Sequence, residues 1–394
     1  DRWMAMQSGG SEMRGLDLRL HPVAMTSSGH WVGLLRASGG VDRGSRLRGA
    51  VITAASPLSA PLRLAERLRY GRLVRGTRIH PSPVFILGHW RTGTTLLHYL
   101  MNHDPNFGSV SLFQTLLPAS FLSARSLLGP VMRRLVPGKR PMDNMELALD
   151  LPQEEEYATC NLGECSLYVG WYFPRRMREL FHRFVLFESA PPEAVEQWKG
   201  VYLDVLRKAT LHAGGKPLLL KNPANTGRIP QLLEMFPDAR FIHIHRDPHA
   251  VFRSTQRLHR SVYDMVGLQR VGDGEIRDIV LHMYRELMLR YLGTRGLIPQ
   301  DNLVEVAYAD LERRPIEEMG RVYAALRLPD FEAVRPRMEA HMAAQKNYER
   351  NHHAFTPDDI TRVRHEWQFA FDAWGYPHRG EQGVHGEAER ARPT

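Results

Sequence analysis

The chain of 394 residues carries 52 lysines and arginines against 43 aspartates and glutamates, a formal net charge of +9 at pH 7. Its 43% hydrophobic and 24% charged residues are ordinary for a soluble globular protein, and no apolar run is long enough to span a membrane. A basic balance favours a nucleic acid, a membrane surface or a small polyanion as partner, but the arginines form no dense stripe with aromatics, which argues against nucleic acid.

The cysteines bear on the cellular compartment. Cys160 and Cys165 lie five residues apart and suggest neither a disulfide framework nor a metal site. No charged leader with an apolar run and a small-residue cleavage site appears in the sequence. We therefore expect a cytoplasmic protein without a metal.

The N-terminal residues differ in composition from the rest. Residues 1–50 are rich in Gly, Ser and Arg and show no sustained period, which predicts an irregular arm with at most short helices. Residues 62–70 (LRLAERLRY) predict a basic amphipathic helix. This helix can contact a membrane surface, but packing on its own domain is favoured. We expect the basic arm over 1–79, the main domain over 80–378 and a polar tail over 379–394.

A short strand opens the main domain. Residues 84–87 (VFIL) follow a Pro-Ser-Pro break and form a continuous apolar run, typical of a parallel strand buried on both faces. Gly88 and Gly93 stand at the two ends of the loop that follows, and residues 94–102 predict a helix. The order is strand, glycine loop, helix.

The same unit recurs along the chain. Strands alternating with helices predict a three-layer α/β domain on a parallel sheet, with a helical insertion at about 110–215. The further predicted elements are strands at 218–220, 241–245 and 303–308, and helices at 229–236, from Pro248 and from Pro315.

The loop over residues 88–95 (GHWRTGTT) resembles a P-loop. Its two glycines have P-loop spacing and Thr95 takes the hydroxyl position, but Thr94 replaces the lysine and Arg91 lies inside the loop. Backbone N–H groups at a helix N-terminus bind anions, so an anion site is favoured over a structural turn. The missing lysine argues against an ATPase.

A second anion-binding pattern ends the strand at 241–245. Arg246 lies at the carboxyl edge of the sheet, and Ser254 follows eight residues later, about two helical turns on. An arginine fork with a hydroxyl suits a phosphate monoester. The alternative is a surface pair of Arg246 and Asp247 that caps a helix.

Together the two patterns resemble the sulfotransferases that use 3′-phosphoadenosine-5′-phosphosulfate (PAPS), in the bacterial-type group whose loop carries Arg rather than Lys. The resemblance rests on FILGHWRTGTTLL, on LLLKNPANTGRIPQLLEMFPDARFIHIHRDPHAVFRST, and on the elements PMDN at 141–144 and PQEEE at 152–156. It covers roughly residues 80–375. It implies the P-loop NTPase-like sulfotransferase fold, PAPS as donor and 3′-phosphoadenosine-5′-phosphate (PAP) as product.

The resemblance also implies ligand-binding roles. Arg246 and Ser254 would hold the 3′-phosphate, Tyr308 would pack near the nucleotide, and Lys346 would reach over the 3′-phosphate. The 5′-phosphosulfate would be held by Arg91, Thr92, Gly93, Thr94 and Thr95.

Sulfuryl transfer requires cations and a base. Arg91 and Lys221 are the expected cations. Proline stands at 223, where the cytosolic branch has its histidine base, so the acidic triplet Glu154, Glu155 and Glu156 is the expected source of the base. The alternative is a first-turn cluster that complements a helix dipole. His98 and His103 are the remaining candidates for the base.

The acceptor is not specified by the sequence. Aromatics over residues 166–187 suit either an apolar pocket wall or lid, or a packed helical insertion. We expect a small-molecule, glycan or lipid acceptor with a hydroxyl or amine, no nucleic acid, and peripheral membrane contact through the arm, with the oligomeric state open. The rival functions are a P-loop kinase and a non-catalytic PAP-binding scaffold.

Overall fold

The computed structural model describes residues 21–136, 138, 146–188, 190–344 and 356–377. At its centre lies a parallel sheet of four strands in the order β2-β1-β3-β4. The strands are β1 (Val84–Leu87), β2 (Leu219–Lys221), β3 (Arg240–His245) and β4 (Leu303–Ala307). The predicted parallel α/β sheet is confirmed.

Helices cover both faces of the sheet. Phe85 and Leu87 of β1 belong to one hydrophobic cluster and Val84 and Ile86 to another, and all four side chains are fully buried. Since successive strand residues point to opposite faces, this division makes three layers, as predicted. In chain order the helices are α1 (Ser28–Ala37), α2 (Arg46–Ala55), α3 (Ala60–Gly76), α4 (Thr94–Met101), α5 (Leu112–Leu116), α6 (Phe121–Leu135), α7 (Glu155–Leu162), α8 (Val169–Tyr172), α9 (Met177–Phe181), α10 (Pro192–His212), α11 (Ile229–Met235), α12 (Pro248–Val266), α13 (Asp273–Thr294), α14 (Tyr308–Arg313), α15 (Pro315–Ala325), α16 (Phe331–Ala344) and α17 (Pro357–Trp374).

The N-terminal segment differs from the irregular arm that its composition suggests. From residue 21 onward it forms α1 to α3, and Trp31 and Ile52 are buried in the same cluster as Phe85. Ser27 caps α1 by accepting a hydrogen bond from the His30 N–H at 3.1 Å. Helix α3 covers the predicted helix at 62–70. The small and basic residues conceal α1 and α2 in the sequence because tertiary packing, more than propensity, stabilises them.

Helices α5 to α10 lie between α4 and β2. The aromatic residues Tyr168, Trp171 and Phe181 of this helical segment have at most 2% of their surface exposed and belong to the main core cluster, against which the partly buried Phe187 also packs. The aromatic stretch is therefore packed protein interior rather than a lid.

The strand order places three loops at one edge of the sheet. The carboxyl end of β1 lies between those of β2 and β3, and the chain passes from β1 to one side and then returns to the other. Open α/β sheets bind ligands at such a reversal point. The glycine loop, Lys221 and Arg246 all lie at this edge.

Candidate active site

The loop after β1 is a tight turn that only glycine can complete. Gly88 and Gly93 have φ angles of 139° and 103°, and Arg91 has φ 72°. A Cβ atom at Gly88 would lie 2.5 Å from the Ile244 carbonyl oxygen, and one at Gly93 would lie 2.3 Å from the Tyr308 ring. Side chains at these two positions are excluded, because the loop passes directly against β3 and Tyr308.

Helix α4 begins at the end of this loop. Its N-cap residue is Gly93, which offers no side-chain cap. The first N–H groups of an α-helix have no partner inside the helix, and the helix dipole is positive at this end. The turn over residues 93–95 is thus suited to bind anionic oxygens, as the sequence predicts.

The two anion-binding patterns of the sequence meet in space. Arg91 Nε donates to Ser254 Oγ at 2.8 Å, and Arg246 Nη1 donates to the Arg91 carbonyl oxygen at 3.2 Å. The Arg246 guanidinium also lies 4.1 Å from the centre of the Tyr308 ring. Asp247 caps α12 by accepting from the His249 N–H at 2.9 Å. The helix-cap alternative therefore holds for Asp247, while Arg246 points to the loop.

Glu154 is the member of the acidic triplet that is connected to this loop. Its Oε1 accepts from Lys221 Nζ at 2.5 Å, and its Oε2 accepts from the Tyr168 hydroxyl. The Tyr168 oxygen in turn accepts from Trp90 Nε1 at 3.1 Å. Lys221 is paired in register with Ile86 of β1. A continuous set of contacts thus joins the loop, Tyr168, Glu154 and the end of β2.

The Tyr168 hydroxyl acts as a donor in this arrangement. Burial, and then the charge of Glu154, raise the pKa of Tyr168 well above its ordinary value. The phenol therefore keeps its proton near neutral pH. A carboxylate that accepts from both a phenol and an ammonium group is held in one orientation.

Glu156 belongs instead to a buried ion pair. Arg228 donates to it through Nη1 at 2.6 Å and Nη2 at 3.0 Å, and Asn222 adds a bond of 2.8 Å. Burial by itself raises the pKa of Glu156, but the Arg228 charge and these hydrogen bonds outweigh it and lower the pKa. Both side chains of the pair are fully buried. The Glu156 carboxylate is therefore fixed in a buried pair with Arg228.

Glu155 faces a third environment. Its Oε1 accepts from the Tyr202 hydroxyl and from Asn225 Nδ2, each at 2.8 Å. Burial raises its pKa to about 7. Its Oε2 has no hydrogen-bond partner among the described residues. Glu155 and Glu156 also occupy the first turn of α7, where acidic groups complement the helix dipole, as the alternative interpretation proposed.

The two histidine candidates lie on and just after α4. Burial, and then the Lys221 charge, lower the pKa of His98 well below its ordinary value, so the ring is neutral. The His103 ring packs against His341 with 4.8 Å between centroids. Neither environment matches that of Glu154, which shares a hydrogen bond with Lys221.

The remaining predictions concern Tyr308, Lys346, the PMDN element and the absence of a metal. Tyr308 begins α14 and donates to Glu312 at 2.7 Å, and its ring lies under Arg246. Lys346 and the PMDN element at 141–144 lie outside the described residues. In the part of the chain that the structure describes, no three His, Cys, Asp or Glu side chains group as a metal site.

Sequence reasoning missed two partners of the triplet. Tyr168 was only one of several aromatics in the insertion, and Arg228 lies within the quoted stretch after the strand at 218–220 but was given no role. Tyr168 reaches Glu154 within the folded insertion, and Arg228 reaches Glu156 because the insertion packs on the segment after β2. The only sequence signal was the triplet itself, because buried carboxylates require hydrogen-bonding or charged partners.

Comparisons with known proteins identify the family of this chain. The model of the sulfotransferase family matches residues 83–333. Omega-hydroxy-beta-dihydromenaquinone-9 sulfotransferase Stf3 from Mycobacterium bovis is 35% identical over 347 residues, which are 88% of this chain and 89% of that protein. The protein of the same name from Mycobacterium tuberculosis matches equally.

Solved structures share the fold. Sulfotransferase STF9 from Mycobacterium avium has a TM-score of 0.68 at 22% identity, over 91% of this chain and 98% of that chain. STF1 from Mycobacterium tuberculosis has a TM-score of 0.61 at 19% identity, over 86% and 90%. At these identities the likeness establishes the fold, while the family match and the Stf3 relatives establish the family. The chain belongs to the sulfotransferase family, and it is a sulfotransferase enzyme of the PAPS-dependent kind.

Proposed function

We propose that this enzyme transfers the sulfuryl group of PAPS to a hydroxyl of an apolar, lipid-like acceptor, with Glu154 as general base. The observation that carries the proposal is the position of Glu154, which is joined to the glycine loop through Tyr168 and to β2 through Lys221. The acceptor class is supported by the Stf3 relatives, which are named for a hydroxylated menaquinone derivative.

The residues at the sheet edge suit PAPS. Arg91 and the amides of residues 93–95 would hold the 5′-phosphosulfate, and Arg246 and Ser254 would hold the 3′-phosphate. The tight glycine turn, the uncapped start of α4 and two converging arginines support this assignment. Tyr308 stacks under Arg246 and fixes its plane.

The proposed reaction is a direct in-line transfer. The acceptor oxygen forms a bond to sulfur while the bond from sulfur to the 5′-phosphate oxygen breaks, which leaves PAP. The acceptor proton goes to the Glu154 carboxylate. Arg91 and Lys221 stabilise the negative charge that grows on the sulfuryl oxygens and the leaving phosphate.

We expect Tyr168→Phe to lower kcat about 10- to 100-fold with little change in KM for PAPS, because one of the two donors that orient Glu154 is lost. Steady-state kinetics with a fixed acceptor measures both constants. Tyr202→Phe is the matched control, since it removes a buried hydroxyl that donates to Glu155 instead. Equal effects of the two changes on kcat would refute the positioning role of Tyr168.

Arg246→Gln is expected to weaken PAP binding about 10- to 100-fold, because a charge-assisted pair worth about 1.5–3 kcal/mol is lost. Calorimetric titration measures this affinity. Adenosine 5′-phosphosulfate lacks the 3′-phosphate and serves as the control ligand, whose affinity should change little. A similar loss for both ligands would show that Arg246 does not recognise the 3′-phosphate.

The proposed acceptor class is tested with sulfur-labelled PAPS and a panel of acceptors. We expect label in hydroxylated isoprenoid quinones and other apolar alcohols, and little in sugars. Transfer to sugars alone would overturn the acceptor class but leave the family assignment intact. A glycan acceptor, the other class expected from the sequence, would then replace it.

We also propose that the enzyme works in a reducing compartment, namely the cytoplasm. Cys160 and Cys165 are both free thiols in the structure and are buried. Burial raises the pKa of both thiols, so they are unreactive. Both cysteines thus act as apolar core residues.

A further inference from the structure

Helix α3 exposes leucines on one face. Leu64 and Leu68 are 58% and 78% exposed, and their spacing of four residues places them one above the other. Glu66 and Val74 lie on a different face of the same helix and are buried against the rest of the protein. The helix thus packs on its own domain, as the sequence favoured, and still presents an apolar stripe to solvent.

The same face is strongly basic. Arg67, Arg72 and Arg75 are exposed beside the two leucines. Among the described residues no carboxylate forms an ion pair with any of these three arginines. Glu66, the only acidic residue of α3, is buried and paired with Lys208. The outward face of α3 therefore carries positive charge without compensating negative charge.

A second helix beside α3 has similar character. Helix α6 packs on α3, where the Ser123 N–H donates to Glu66 at 2.9 Å. It exposes Leu127 and Val131 at 65% and 53%, and its last turn is basic. Exposed apolar side chains grouped on neighbouring helices mark interaction surfaces.

We propose that this face, which we call the α3 surface (Leu64, Arg67, Leu68, Arg72 and Arg75), binds the surface of an anionic phospholipid bilayer. The two leucines enter the boundary of the acyl chains, while the long arginine side chains beside them on the same face reach the phosphate groups. Negative lipid complements the uncompensated arginines. No helix of the described residues meets the length and apolarity of a membrane span, so the contact is peripheral.

This inference rests on the proposed function in one respect: the membrane contact would bring the enzyme to a lipid acceptor. The binding itself depends on α3 and needs neither PAPS nor acceptor. A test of membrane binding without substrates therefore fails or succeeds independently of the reaction.

The experiment is flotation of the full chain with vesicles of phosphatidylcholine and phosphatidylglycerol, and with vesicles of phosphatidylcholine alone. We expect binding to the anionic vesicles that weakens as salt is raised. Each arginine near an anionic surface contributes about fivefold, so Arg67→Gln, Arg72→Gln and Arg75→Gln together should weaken partitioning about 100-fold. Leu64→Gln with Leu68→Gln should weaken it about 10- to 100-fold.

Matched controls use the same substitution elsewhere on the surface. Leu289 and Leu297 are exposed leucines outside α3. Arg313, Arg327 and Arg335 are exposed arginines whose replacement removes the same total charge. Equal losses for control and α3 variants, or binding that persists in both α3 variants, would overturn the proposal. Oligomers that dissociate only in the α3 variants, without vesicle binding by the wild type, would instead assign this surface to a second copy of the chain.

Discussion

Replacing Glu154 with glutamine is expected to lower kcat for sulfuryl transfer by about 10²- to 10⁴-fold, the range typical of a lost general base. Glutamine keeps the shape of the side chain and an oxygen that accepts from Lys221 or Tyr168, but it cannot take a proton from the acceptor. The affinity for PAP should change little, because Glu154 is not assigned to nucleotide binding. Steady-state kinetics and a PAP titration on the same preparation measure both quantities.

Glu155→Gln is the control for this prediction. It makes the same chemical change one residue away, in a side chain that contacts Tyr202 and Asn225 rather than Lys221. We expect its kcat near neutral pH to stay close to that of the wild type. A Glu154→Gln enzyme that turns over at the wild-type rate would exclude Glu154 as the base and return attention to His98 and His103.

Glu156→Gln is expected to cost about 3–5 kcal/mol of unfolding free energy, because it leaves the Arg228 charge buried without its counterion. Arg228 and Glu156 are both fully buried, and Arg228 also lies over the Trp198 ring at 4.8 Å. Urea unfolding followed by fluorescence measures the change. A loss under about 1 kcal/mol would show that the pair is less important to the fold than its burial indicates.

Glu155→Gln again provides the comparison, through its pH dependence. Burial raises the folded-state pKa of Glu155 from 4.5 to about 7. Between these values the folded protein keeps a proton that the unfolded chain has released, so this contribution to stability is full below 4.5 and is lost as pH rises to about 7. Glutamine does not titrate. The variant should therefore gain stability relative to the wild type as the pH is raised from about 5 to about 8.

Much of the fold could be predicted because its strands are unusually clear. Val84–Leu87 is a short apolar run between a proline break and a glycine, a pattern that admits few structures other than a buried strand. The order of the strands was not available from the sequence, since it depends on long-range pairing. The sequence allowed short helices in this region but did not locate α1 and α2, because their buried residues, such as Trp31 and Ile52, stand singly in a small, basic context.

The site shows the same division between local and long-range information. The convergence of the glycine loop with Arg246 and Ser254 followed from parallel strands that end at one edge. The separation of Glu154, Glu155 and Glu156 into three environments did not. Glu154 is extended and lies just before α7, while Glu155 and Glu156 are adjacent helical residues that point about 100° apart, so each meets a different part of the fold. A sequence pattern identified the triplet, but only the positions of Lys221 and Arg228 distinguish its members.

Calorimetric titration of the purified protein with PAP, and separately with ATP and Mg²⁺, tests most directly that the Arg91, Arg246 and Ser254 site recognises the sulfate donor. We predict tight binding of PAP and weak binding of ATP. Tight ATP binding with weak PAP binding would contradict the assignment of this site to the 3′-phosphate and the donor.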